Sequence, residues 1–87
     1  MRNRQQADGL ASTTLAHLAE ISGLELAFTG EPLERKTAWV YFYTSKAHLE
    51  TGDVSHALAG NGPIVVPRAY VDVWFAWTGS SIEDQVE

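Results

Sequence analysis

Residues 43–66 read YTSKAHLETGDVSHALAGNGPIVV, and this stretch decides the fold because it carries an aromatic β run into an aliphatic one through a connection rich in turn residues. Ser45 is placed to cap a short helix running through Leu49 and Glu50. Gly52 then stands where a helix stops on a glycine. Asp53 can cap one further turn through Ala57 and Leu58. Gly60-Asn61-Gly62-Pro63 is turn chemistry, since glycine and asparagine tolerate positive φ and proline cannot donate to a β ladder. At Ile64 the β pattern resumes.

Working outward, residues 37–44 form a β run with large side chains on both faces: Val40 and Phe42 on one, Trp39, Tyr41 and Tyr43 on the other. Residues 24–29 alternate before Gly30-Glu31-Pro32 breaks them, which predicts an earlier strand. Leu10, Ala11, Leu15, Leu18 and Ile21 fall near helical spacing, with Asp8 as a candidate cap and Gly23 as a stop. Residues 70–77 alternate again and predict the last strand, ahead of a short helical acidic tail. The order is α-β-β-α-β-β-α. It predicts an α+β domain covering residues 1–87, with 1–8 a flexible leading segment and one antiparallel sheet of about four strands bearing its helices on one face.

The chain has 87 residues, 45% of them hydrophobic and 20% charged, a globular balance with room for one core. Its formal charge of −5 opposes binding to a phosphate backbone, which makes nucleic acid a poor partner, and favours encounter with a basic protein. There is no cysteine, so no disulfide or thiolate zinc site holds the fold together. The basic start Met1-Arg2-Asn3-Arg4 leads into no apolar segment, and no apolar run is long enough to span a bilayer. The expectation is a cytoplasmic protein that neither enters nor binds a membrane.

Ser45, Leu49, Glu50, Thr51, Gly52, Asp53, Leu58, Gly60, Asn61, Gly62 and Pro63 together resemble the immunity protein 35 family, small bacterial proteins encoded beside polymorphic toxins. The resemblance runs from about Leu15 to Val86, and its core is a short helix ending in Thr-Gly-Asp, a Gly-Asn-Gly-Pro turn and a β run. It implies a non-enzymatic protein that neutralises a cognate toxin by direct contact. Pro67-Arg68-Ala69-Tyr70 departs from the family, which usually places a glycine-containing hairpin turn there.

Read for chemistry, the residues offer little that outweighs a structural account. His17, His48 and His56, with Glu50 or Asp53, lack tight metal-ligand spacing. Ser45 and Ser55 lack the framing of an activated nucleophile and are better explained as cap and turn residues. The carboxylate pairs Glu83/Asp84 and Glu50/Asp53 would need burial to serve as acid and base. No metal or cofactor is implied. The aromatic side chains point instead to binding, because tryptophan and tyrosine are enriched at interface hot spots. The expected contact surface is an aromatic sheet face of Trp39, Tyr41, Tyr43 and Trp74, rimmed by Glu25, Asp72 and Glu34. A chaperone-like accessory protein using the same face is the alternative, and a small hydrolase working through Ser45 or Ser55 a more distant one.

Overall fold

The first helix, α1 (Arg4–Ser22), begins at Arg4 rather than near Leu10, and its cap is Asn3 rather than Asp8. The Gln6 amide donates to Asn3 Oδ1 at 2.8 Å and the Asn3 amide donates to Gln6 Oε1 at 2.9 Å, a reciprocal box that satisfies two backbone donors. Gly23 ends the helix in the left-handed conformation, as its position predicts. Residues 1–8, expected as a flexible leader, therefore supply the cap and the first turn of α1. This computed structural model describes residues 1–51, 62–77 and 81–87. Gly52, Asp53, Gly60 and Asn61, and the turn expected at Ala57 and Leu58, lie outside the described residues.

The remaining described elements are β1 (Leu26–Phe28), β2 (Leu33–Glu34), β3 (Ala38–Tyr41), β4 (Tyr43–Ser45), α2 (Lys46–Thr51), β5 (Ile64–Pro67), β6 (Trp74–Phe75) and α3 (Ile82–Gln85). The fold is α+β, but the strands fall into two antiparallel sheets: β2-β3-β5-β6 and the pair β1-β4. One long hairpin feeds both. Phe28 faces Tyr43 and Leu33 faces Val40, so residues 29–32 of the first arm stand against only Tyr41 and Phe42 of the second. The surplus bulges at Gly30-Glu31-Pro32, with Gly30 at φ +132°, a region that disfavours a side chain. The run expected at residues 37–44 thus splits at Phe42.

Antiparallel register places Trp39 beside Val66 and Tyr41 beside Ile64 on one face of the larger sheet. Helix α1 lies on that face: Ala7, Ala11 and Leu15 close over Trp39, Tyr41, Ile64 and Val66. The helix contributes small residues where the sheet contributes large ones, and this complementarity lets a helix pack densely on an aromatic surface. Ala38, Val40 and Val65 occupy the opposite face, where Ile82, Val86 and Ala76 cover them. The aromatic face expected as the contact surface is thus the one that the helix covers, and the tail covers the aliphatic one. The Glu87 carbonyl accepts from the Thr37 amide at 2.8 Å and the Val86 carbonyl from Arg35 Nε at 3.2 Å, which holds the tail against the β2-β3 turn.

The last strand is shorter than the predicted 70–77 run. Arg2 accounts for part of the difference: its amide donates to the Arg68 carbonyl at 2.6 Å, and its Nη1 donates to the carbonyls of Pro67 and Ala69 at 3.0 and 2.8 Å. These carbonyls are engaged by Arg2 rather than by a strand partner, and ladder pairing with β5 is confined to Trp74 and Phe75. At the departure Pro67-Arg68-Ala69-Tyr70, β5 ends at Pro67 and the three residues after it form a loop pinned by the N-terminus, with the Tyr70 hydroxyl donating to the Met1 carbonyl at 3.0 Å.

Candidate functional site

The expected aromatic face does not come together as a surface. Trp39 is 2% exposed and Tyr41 4% exposed, both beneath α1, and neither can meet a partner without unfolding the core. Trp39 is held by the Arg68 guanidinium, 4.2 Å above its ring, while Arg68 Nε and Nη2 donate to the Arg35 carbonyl at 3.1 and 2.8 Å. Tyr43 is half-buried, and its hydroxyl donates to the Gly62 carbonyl at 3.0 Å, so it fastens the Gly62-Pro63 turn. Burial pushes its phenol pKa up.

Trp74 pairs with Val65, which puts it on the face opposite Trp39 and Tyr41. It is exposed, as is Asp72 in the preceding loop. Glu25 is exposed just before β1, in the other sheet. Thus Trp74 and Asp72 share an edge, and Glu25 does not belong to it. The exposed aromatic side chains lie instead on the β6 edge and its approach, interrupted by the buried Ala76: Tyr70 at 67%, Trp74, Phe75 and Trp77 at 69%, with the exposed Val71 beside them. Gln85 braces its end, accepting from the Trp77 amide at 2.6 Å and donating to the Trp77 carbonyl at 2.7 Å.

The turn motif has a packing role where it is described. Ser45 is buried and its hydroxyl accepts from the His48 amide at 3.1 Å, the N-cap geometry expected of it. Gly62 is required by space rather than by φ: a Cβ there would overlap the Ala76 carbonyl oxygen. The Pro63 carbonyl accepts from the Ala76 amide at 2.9 Å, so the turn and the β6 edge are built against each other.

A second feature was not anticipated. Between α1 and the Gly30-Glu31-Pro32 bulge lies a cleft of about 230 Å³ with Phe28 and Tyr41 in its wall. Their ring centroids are 5.6 Å apart and the rings tilted at 50°. Across the cleft Arg4 Nε donates to Asp8 Oδ1 at 2.7 Å and Arg4 Nη2 to Glu31 Oε2 at 2.8 Å. The Tyr41 hydroxyl donates to the same Asp8 oxygen at 2.5 Å. That bond, together with Arg4, holds the Asp8 carboxyl below its usual range, while burial and Asp8 push the Tyr41 phenol up. Hydrogen bonds to Asp8 and Glu31 raise the Arg4 guanidinium further still. The one local clue was the Arg4/Asp8 spacing of four, the separation of neighbours on a helix. Glu31 and Tyr41 are distant in sequence and gave none.

Every resolved shift in the described residues moves a group away from neutrality, whereas a general acid or base works best with a pKa near the working pH. Among the described residues no three histidine or acidic side chains gather where a metal could sit. No helix among them is long and apolar enough to cross a membrane.

The family model for immunity protein 35 matches residues 11–81, most of the chain. The chain belongs to the immunity protein 35 family. No curated protein and no solved structure matches it. In this immunity protein 35 member Ser45, Gly62 and Pro63 occupy the cap and packing positions described above. The matched region also contains both the β6 edge and most of the cleft: Ser12, Phe28, Gly30, Glu31, Pro32 and Tyr41.

Proposed function

We propose that the protein neutralises a cognate bacterial toxin by binding it directly in the cytoplasm, without catalysing a reaction. Family membership over residues 11–81 is the observation that carries this reading. Three physical features support it. The chain is acidic, at −5, and attracts a basic partner. The Ser45 hydroxyl, one of the two candidate nucleophiles, accepts from the His48 amide as a helix cap. The β6 edge exposes tryptophan, tyrosine and phenylalanine side chains, the types that dominate interface hot spots.

The contact surface in this proposal is the edge carrying Tyr70, Asp72, Trp74, Phe75 and Trp77, with Glu25 adding acidic surface elsewhere. The test is calorimetry of the purified protein against the toxin domain encoded beside it, with an assay of toxin activity. A stable complex that silences the toxin is expected. Trp74→Ala and Trp77→Ala should each weaken it by about 30-fold, the scale of a hot-spot truncation. Absence of a complex, with toxin activity unchanged, refutes the reading. Equal binding to an unrelated unfolded polypeptide would favour the chaperone-like alternative instead.

A further inference from the structure

We infer that the cleft between α1 and the Gly30-Glu31-Pro32 bulge is a receptor for an arginine side chain of the bound protein partner, with Arg4 holding the place until the partner arrives. This inference rests on the proposal that the chain binds a protein.

The cleft is preshaped. Its volume of about 230 Å³ is several times the ~30 Å³ of one liquid water. The aromatic rings of Phe28 and Tyr41 wall it, and Asp8 and Glu31 stand at its polar side. Arg4 shows that the two carboxylates are spaced for one guanidinium, because Nε reaches Asp8 and Nη2 reaches Glu31, both within 2.8 Å. A planar guanidinium fork beside aromatic rings uses such a site better than an ammonium does.

Charge and exposure favour exchange. Two carboxylates face a single cation, which leaves one negative charge in the cluster. Asp8 Oδ2 and Glu31 Oε1 accept no hydrogen bond from the described residues. The Arg4 side chain is 40% exposed and that of Glu31 88% exposed, so Arg4 can leave without disturbing the core. The Tyr41 hydroxyl keeps Asp8 ionised and oriented whether or not Arg4 is present. Gly30, at φ +132°, lets the bulge bring Glu31 to the cleft. An arriving arginine would therefore find Asp8 already oriented by Tyr41, which lowers the entropic cost of binding at that acceptor.

The test uses the whole chain alone, titrated with n-propylguanidinium and, in parallel, with neutral n-propylurea and with n-butylammonium. Amide NMR signals of Ser12, Gly30 and Glu31 are followed. Saturable shifts with the guanidinium and none with the urea are expected. Glu31→Gln should weaken the response about two- to fivefold, the scale of a solvent-exposed ion pair, and Arg4→Ala should strengthen it by a similar factor by removing the competitor. No saturable shift in either wild type or Arg4→Ala overturns the inference, as does an equal response to the urea. An ammonium that binds as well as the guanidinium overturns the choice of arginine. With the toxin domain as ligand, the two variants should move affinity in the same opposite directions. A toxin that binds both variants as it binds wild type refutes the cleft's role and leaves the proposed function standing. A toxin that binds none of them refutes the function, while the result with n-propylguanidinium still decides the cleft.

Discussion

Replacing Gly62 by alanine tests the packing of the turn motif against β6. A Cβ at Gly62 would overlap the Ala76 carbonyl, a backbone atom that cannot rotate aside as a side-chain tip could. Ala76 is itself fixed, its amide donating to the Pro63 carbonyl at 2.9 Å and its side chain buried with Val40 and Val65. Relief requires the turn to move, which strains or breaks the Tyr43 hydroxyl bond to the Gly62 carbonyl. Overpacking of this kind costs about 1–3 kcal/mol, and disturbing a half-buried hydrogen bond about 1 kcal/mol more. The expected loss is about 2–4 kcal/mol, or a Tm lower by roughly 10–25 °C for a domain of this size. Gly9→Ala is the internal control: it lies in the interior of α1 with nothing within 4 Å of the added Cβ, and should gain about 0.8–1 kcal/mol. Thermal and urea unfolding followed by circular dichroism read both. Gly62→Asn separates the two reasons for glycine, because asparagine tolerates positive φ but brings more atoms to the contact. A Gly62→Ala protein that melts with the wild type, or a Gly62→Asn protein clearly more stable than Gly62→Ala, would refute the packing argument.

Ser45→Ala should lower unfolding free energy by about 1 kcal/mol through loss of the α2 cap, while toxin neutralisation persists; abolished function in a folded variant would revive the hydrolase reading. Tyr41 has a folded pKa above its ordinary 10.0, so its contribution is complete below that pH and is lost as pH rises through and beyond it. Urea unfolding at a series of alkaline pH values should show this loss reduced in Tyr41→Phe, with a remainder from Tyr43, whose pKa is also raised. Asp8 works at the other end: its folded pKa is depressed, so its contribution is complete above 3.8 and is lost as pH falls below it. Tyr41→Phe should shrink that acid loss too, since the Tyr41 hydroxyl is the main cause of the depression.

How much was legible in the sequence depended on how local each signal was. Ser45 was readable as a cap because its acceptor role spans three residues, and Gly23 as a stop because one backbone conformation suffices. The start of α1 was misplaced although its signal was also local: Asn3 and Gln6 form a capping box, but they sit in a polar stretch with no apolar spacing to announce a helix. The extent of the last strand was misread because Arg2, 65 residues from Pro67, takes the carbonyls that a ladder would have used.

By itself the sequence determined the α+β class, the resemblance to the family through the turn motif around Ser45 and Gly62-Pro63, and the acidic net charge. These are properties of composition, spacing and short-range hydrogen bonding. Only the tertiary structure decided which face of the sheet the helix covers, because residues 37–44 carry large side chains on both sides and alternation alone cannot rank them. The choice came from the fit of Ala7 and Ala11 against Trp39 and Tyr41, and from the tail that closes over Val40 and Val65. The cleft arose the same way: Arg4 meets Glu31 across 27 residues and Asp8 meets Tyr41 across 33, contacts that exist only once the helix has docked on the bulged hairpin.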